Sequence, residues 1–288
     1  MSSQAAPKTV GQVYECFSVE IKDNIAHLRL NRPDQFNSMN RAFWRELPEI
    51  VQEIDAGALA RVIVISSTGK HFTAGMDLSV FTSGPDLSAH ETGRVRANLL
   101  RTVLKLQNTF GCLDKARMPV LMAVQGGCIG GGVDFASACD MRYCTRDAFF
   151  CIQEINIGMT ADVGTFPRLG HLIPQGMVRE LAYTGRRLYA DEAKEIGLVN
   201  RVFESQEEML DGVMQIAREI AERSPLAVWG SKEMLNYGRD HTIEDSLRQI
   251  AVWQTGMFQP ADMMESFAAK AEKRTPNFDD LLPERDAI

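Results

Sequence analysis

What this chain lacks narrows its chemistry before any motif is found. No apolar run reaches the ~18 residues that a membrane-spanning helix needs, so no membrane span is expected. The six cysteines (Cys16, Cys112, Cys128, Cys139, Cys144, Cys151) form no CxxC pair, and the five histidines (His27, His71, His90, His171, His241) are scattered. Zinc needs closer ligand pairs, so no metal site is expected. Four of the cysteines fall in the apolar stretch 128–151 and read as reduced, buried thiols. The glycine-rich segment 126–132 contains neither GxxxxGK[ST] nor glycines at i, i+2 and i+5, and GxSxG is absent from the whole chain. A phosphate loop, a dinucleotide fingerprint and a nucleophile elbow are thereby excluded. No internal repeat of 20–50 residues is evident.

Positive charge is also in short supply. The net charge is −7 and the pI about 5.4, which argues against a nucleic-acid partner held by bulk electrostatics. A local basic patch for a phosphorylated ligand stays open. The first residues show neither a signal-peptide h-region nor an Arg-rich amphipathic pattern, and the last three are not of the Ser-Lys-Leu type. A cytoplasmic protein is therefore expected.

What is present is ordinary for a globular chain: 288 residues, 45% hydrophobic and 24% charged. After a loose polar lead over 1–14, alternation in 17–21 and 25–30 around the turn cluster Lys22-Asp23-Asn24 predicts a β-hairpin. Asn40 is placed to cap a helix running to about Ile54. The apolar runs 62–65 and 119–124 predict strands covered on both faces. A glycine-bearing loop at 68–87 and a long helix near 91–113 separate them, and short strands follow at 141–144 and 148–151. From about 174 the pattern turns helical, with helices expected to Tyr183, from Tyr189 to Gly197, and at 206–222, 225–238, 242–256 and 260–271. The reading is an α/β chain of ββα units over 15–204 and a helical region over 205–288 whose polar end, 274–288, is expected to wrap or to be partly ordered.

Three acids stand in an apolar, glycine-rich stretch: Asp134, Glu154 and Asp162. Burying a carboxylate costs several kcal/mol, so the set points to proton chemistry rather than solubility. A strand at 119–124 runs into Gly126-Gly127-Cys128-Ile129-Gly130-Gly131-Gly132 and then a short helix, 131–138. The first amides of such a helix lack partners, carry the positive dipole end and suit a developing oxyanion. Tight packing of a turn on the sheet is the plain alternative. The loop Lys70-His71-Phe72-Thr73-Ala74-Gly75-Met76-Asp77-Leu78 could bring a second amide, with Asp77 alternatively a simple N-cap. Likewise Asp162 could cap a helix starting near Val163, and Asp134 could pair with Arg142 or Arg168.

These residues resemble the crotonase family, the enoyl-CoA hydratase/isomerase superfamily. The resemblance rests on Leu30-Asn31-Arg32-Pro33 with Asn37, on Phe72-Thr73-Ala74-Gly75-Met76-Asp77-Leu78, and on Gly130-Gly131-Gly132 followed by an acid, and it covers roughly 15–270. It implies the crotonase-like spiral of ββα units with a C-terminal helical region. It also implies an acyl-CoA thioester substrate with CoA as its only carrier group and no separate cofactor. Trimers, often paired into hexamers, are implied too, with the region 205–288 serving trimerisation. The oxyanion amides map to Met76 and Gly131, with Ala74, Gly75, Asp77, Leu78 and Gly130 around the substrate. Lys70, Arg41 or Lys270 could meet the CoA phosphates.

Within the family, Glu154 matches the second hydratase acid, Asp134 stands where hydratases have Glu, and Asp162 stands where they typically have glycine. The set Asp134, Glu154 and Asp162 is similar to the Δ3,5-Δ2,4-dienoyl-CoA isomerase subgroup. Such a reaction takes a proton from C2 and returns one at C6, four carbons away, which two spaced carboxyls serve better than one. The resemblance assigns Glu154 to C2, Asp162 to C6 and Asp134 to support. A hydratase with altered acids, or a non-catalytic binding protein of the same fold, are the competing readings.

Overall fold

A computed structural model describes residues 13–82 and 91–284. Most of the expected lead (1–12), the end of the 68–87 loop and the last four residues lie outside them. The hairpin forms as expected from β1 (Phe17–Lys22) and β2 (Ile25–Leu30). Asp23 and Asn24 turn it with positive φ, a conformation that short polar side chains tolerate. Asn40 caps α1 (Arg41–Ala56), its side chain accepting the Phe43 amide at 3.0 Å.

β3 (Val62–Ser67) is followed by the short α2 (Ser79–Thr82), α3 (Thr92–Lys115) and β4 (Val120–Val124). The sequence pattern places only a glycine-rich turn between the strand at 119–124 and the short helix at 131–138. β5 (Gly127–Ile129) intervenes before α4 (Gly131–Ala138). Then come β6 (Met141–Thr145), β7 (Phe149–Cys151), α5 (Thr165–Leu172), α6 (Gln175–Thr184), β8 (Leu188–Tyr189), α7 (Ala190–Glu195) and β9 (Arg201–Phe203). Four helices complete the chain: α8 (Gln206–Ala221), α9 (Pro225–Tyr237), α10 (Ile243–Met257) and α11 (Pro260–Glu272).

The main sheet has the order β1-β2-β3-β4-β6-β9 and is parallel except for the β1–β2 hairpin. A small second sheet, β5-β7-β8, stands beside it. Period-two alternation divides the core. Val62, Val64, Leu121 and Ala123 face α8, whose Met209, Val213, Ala217 and Ala221 cover them. Ile63, Ile65, Val120, Met122 and Val124 face the larger cluster under α1, α3 and α4. There Phe43, Phe110 and Phe135 pack ring on ring, with Phe110 and Phe135 stacked at 5.3 Å. The continuous apolar runs in β3 and β4 thus meet two cores at once.

The end of the described chain wraps back as expected: Arg61 donates to the Phe278 carbonyl and to Asp280, and the Glu284 amide donates to the Ala56 carbonyl. All six cysteines are free. Burial pushes the thiols up, Cys16 to about 11 and Cys112 to about 12, as inert core residues should behave.

Lys232 of α9 is buried, and its ammonium donates to the Leu113 and Met118 carbonyls (2.7 and 3.0 Å) and meets Asp140 at 2.9 Å. One cation thereby joins the C-terminal helices to both ends of the α3–β4 connection. Lys232→Met removes the cation and leaves these acceptors behind, so it should cost about 3 kcal/mol of unfolding free energy. Urea unfolding at neutral pH measures this, and an unchanged midpoint would show that the latch contributes nothing.

Candidate active site

The site begins with a brace. Asn37, at φ 51°, donates through Nδ2 to the Thr68 and His71 carbonyls (2.8 and 3.1 Å), and its own carbonyl accepts the Thr73 hydroxyl at 2.7 Å. The Arg32 amide closes on the Asn37 side chain at 2.9 Å. The early Asn31-Arg32-Pro33…Asn37 pattern therefore holds the loop that carries Met76.

That loop lies between two neighbours. The Thr73 amide donates to the Gly127 carbonyl, and Ile129 donates back to Thr73, so the segment continues the β5 side. On its other edge Met39 donates to the Gly75 carbonyl (2.8 Å) and accepts from the Asp77 amide (3.1 Å). Extended backbone alternates its amides, so the Met76 N–H turns away from Met39. A Cβ on Gly75 would lie 2.7 Å from the Ile129 carbonyl oxygen, so this backbone rests directly on the strand leading to Gly130.

Gly130 makes the turn into α4 with φ 54° and ψ −122°, a conformation that only glycine adopts readily. Its own amide donates to Cys151 at 2.9 Å, which leaves the Gly131 amide at the positive end of α4. Among the described residues, neither the Met76 nor the Gly131 amide donates to a protein acceptor. A Cβ on Gly130 would stand 3.2 Å from Glu154 Oε1, so that carboxylate lies against this same turn.

Each acid has a distinct environment. Asp134, in the first turn of α4, is fully buried. Its Oδ1 accepts the Thr165 amide at 2.6 Å, while no protein donor reaches Oδ2. Burial pushes it up to about 6, with the Thr165 amide pulling the other way. Glu154 opens a single 3-10 turn after β7 and is half-buried, and its Oε2 too meets no protein donor. Burial again dominates and pushes it to about 7, with the Asp134 and Asp162 charges adding to the rise. Asp162 acts electrostatically on both other acids, so the structure does bring the three together. It is itself exposed, however, contrary to the expectation that all three would be buried. The segment 155–160 before it is exposed as well.

The plain alternatives fare differently. Asp162 does not cap α5, since Gly164 is the cap residue and the Thr165 amide goes to Asp134 instead. Asp134 pairs with neither arginine: Arg142 donates to the Leu198, Ala136 and Cys139 carbonyls, and Arg168 pairs with Asp114. Asp77 does behave as a capping residue, accepting the Ser79 amide at 3.0 Å and the Ser38 hydroxyl at 2.9 Å. Ala74 and Leu78 are exposed beside it. Two cavities of about 560 and 550 Å³ lie along α9 and touch none of the three acids. Chemistry rather than cavity size marks this site.

Thr165 and Gln107 escaped the sequence reading. Thr165 feeds its amide to Asp134 across 31 residues, and Gln107 donates to the Asp162 carbonyl at 2.7 Å across 55. Neither contact leaves a local pattern in the sequence.

A positive backbone cradle beside a desolvated carboxylate near neutrality is equipment for moving a proton next to a developing oxyanion. The chain belongs to the enoyl-CoA hydratase/isomerase family, whose sequence profile matches residues 20–281. It is 44% identical to the mouse mitochondrial Delta(3,5)-Delta(2,4)-dienoyl-CoA isomerase over 95% of this chain and 85% of that one. It is 38% identical to the peroxisomal Arabidopsis thaliana protein of the same name, over 88% and 92%. Among solved structures, an enoyl-CoA hydratase from Bacillus anthracis superposes with a TM-score of 0.80 at 30% identity, covering 94% of this chain and all of that one.

Asp134→Asn keeps an oxygen for the Thr165 amide but removes a negative charge, so the Glu154 pKa should fall below about 7. Carbon-13 NMR of the labelled glutamate carboxyl reads this, and an unmoved titration would show that the two acids do not couple.

Proposed function

We propose that the protein isomerises 3,5-dienoyl-CoA thioesters to 2,4-dienoyl-CoA, a step in the β-oxidation of unsaturated fatty acids. The observation that carries this reading is the placement of Glu154 against the Gly130 turn with Asp162 as a further acid beside it. The names of the mouse and Arabidopsis relatives agree with it.

In the proposed reaction the thioester oxygen is held by the Met76 and Gly131 amides. Each such donor is worth roughly 3 kcal/mol in related acyl chemistry. Glu154, with a pKa of about 7, is ionised in a large fraction at neutral pH and takes the C2 proton. The electron pair delocalises from the oxyanion along the chain to C6, where Asp162 in its carboxylic acid form delivers a proton; between turnovers solvent takes the C2 proton from Glu154 and returns one to Asp162. Asp134 touches no reacting atom in this scheme and keeps Glu154 basic through its charge. No cofactor is needed beyond the CoA of the substrate.

Hydration is the second reading, because the Bacillus anthracis neighbour is named a hydratase. It would need two acids to hold one water. Asp134 is a methylene shorter than Glu, and one of its oxygens is committed to Thr165. Isomerisation is therefore favoured.

No described helix is long and apolar enough to cross a membrane. A cytoplasmic location rests on the sequence alone, whereas the relatives' names specify mitochondria and peroxisomes. A trimer or pair of trimers fits the exposed apolar residues of α10 and α11, among them Leu247, Val252, Met264 and Phe267. Light scattering should return a trimer or hexamer mass, and a monomer would oppose this arrangement.

With a 3,5-dienoyl-CoA, conjugated 2,4-diene absorbance should grow, and a 2-enoyl-CoA should be hydrated weakly or not at all. Asp162→Asn should lower kcat by about 10²–10⁴-fold with ester binding nearly unchanged. Efficient hydration, or full activity in this variant, would overturn the reading.

A further inference from the structure

Asp162 is the most exposed of the three acids, yet its backbone is held from two directions by one face of α3. Gln107 Nε2 donates to the Asp162 carbonyl at 2.7 Å. Two turns further along α3, Asp114 grips the Arg168 guanidinium with bonds of 2.9 and 2.7 Å. Residues 107 and 114 are seven apart and share a helix face.

Arg168 in turn rests on Gly164. A Cβ on Gly164 would fall 1.8 Å from Arg168 Nη1, so the guanidinium occupies the place of a side chain against this backbone. The next residue, Thr165, sends its amide to Asp134. The stretch 162–165 is thus tied at the Asp162 carbonyl by Gln107, at Gly164 by Arg168 and at Thr165 by Asp134. Asp114 is anchored itself: Arg239 pairs with its carboxylate at 3.0 Å, and Asn236 Nδ2 donates to its carbonyl at 3.0 Å. Both come from the end of α9 and the turn after it, so the C-terminal helices back the whole arrangement.

We propose that Gln107 and the Asp114–Arg168 pair are positioning residues that set where the Asp162 carboxyl meets the substrate, and so decide whether the dienolate is protonated at C6. The inference rests on the isomerase reading above. Neither Gln107 nor Arg168 touches a reacting atom. They act by fixing the only backbone from which Asp162 projects.

The chemistry provides a readout that general damage would not imitate. Once Glu154 has taken the C2 proton, the electron pair is spread over the oxyanion, C2, C4 and C6. Return of a proton to C2 regenerates the 3,5-diene, and delivery to C6 completes the 2,4-diene. If Asp162 is misplaced, return to C2 persists while delivery to C6 slows. In deuterium oxide this appears as deuterium at C2 of recovered substrate.

The test uses the full-length protein as Gln107→Ala, Arg168→Met and Arg168→Lys, with 3,5-dienoyl-CoA in deuterium oxide. In Gln107→Ala and Arg168→Met, kcat for isomerisation should fall about 10–100-fold, as a misplacement near 1 Å would cause, with KM changed less than threefold. The ratio of C2 exchange to isomerisation should rise at least fivefold. Arg168→Lys keeps the charge and should recover part of kcat. Gln107 sits on the outer part of α3, so its truncation keeps the test valid should the Arg168 variants fold poorly. An exchange-to-isomerisation ratio equal to wild type, at whatever overall rate, overturns the proposal. Absence of isomerisation in the wild-type protein would instead overturn the isomerase reading beneath it.

Discussion

The cost of taking two carboxyls out of water governs this site. Asp134 and Glu154 lie beside the start of α4, shielded enough that burial lifts them to about 6 and about 7. Ordinary surface carboxylates would be fully ionised at neutral pH and weak as bases. The same few residues provide the compensating field. The turn at Gly130 leaves the Gly131 amide at the positive end of the helix, and the brace from Asn37 holds the Met76 loop against β5. The sheet contributes rigidity: β4 leads to β5, and β5 pairs with β7, whose end delivers Glu154. Each part of the fold near the site thus either desolvates an acid or presents a backbone donor.

The balance among the acids bears on reaction type. Asp134 is half committed, with one oxygen on the Thr165 amide, and works better as a fixed charge than as a water holder. Glu154 is the acid nearest the glycine turn. Asp162 remains open toward solvent in the single chain, where a long acyl chain could reach it. In the proposed reaction, this gradient from buried to open follows the direction in which charge moves along the diene.

Much of the architecture was legible because it is local. Alternation in 17–21 and 25–30, the Asn40 cap, the apolar runs of β3 and β4 and the helical stripes after 174 all obey short-range rules, and the structure has each of them. The β5 strand was hidden because Gly127-Cys128-Ile129 has too few residues and too little β-character to signal a strand, and exists through its pairing with β7. The two-residue β8 is similar. Of the site, the glycines and acids could be named from the chain, and the family resemblance ordered them. The exposure of Asp162, the Thr165 bond and the supports from Gln107 and Arg168 depend on contacts across tens of residues, which no local pattern records.

The central claim is that two carboxyls serve the two ends of the diene. Isotope tracing on the variants Glu154→Gln and Asp162→Asn tests it most directly, with 3,5-dienoyl-CoA supplied in deuterium oxide and deuterium located at C2 and C6. Glu154→Gln should stop label at both carbons, whereas Asp162→Asn should stop it at C6 alone and leave exchange at C2. Exchange at C2 surviving in Glu154→Gln, or vanishing in Asp162→Asn, would contradict it.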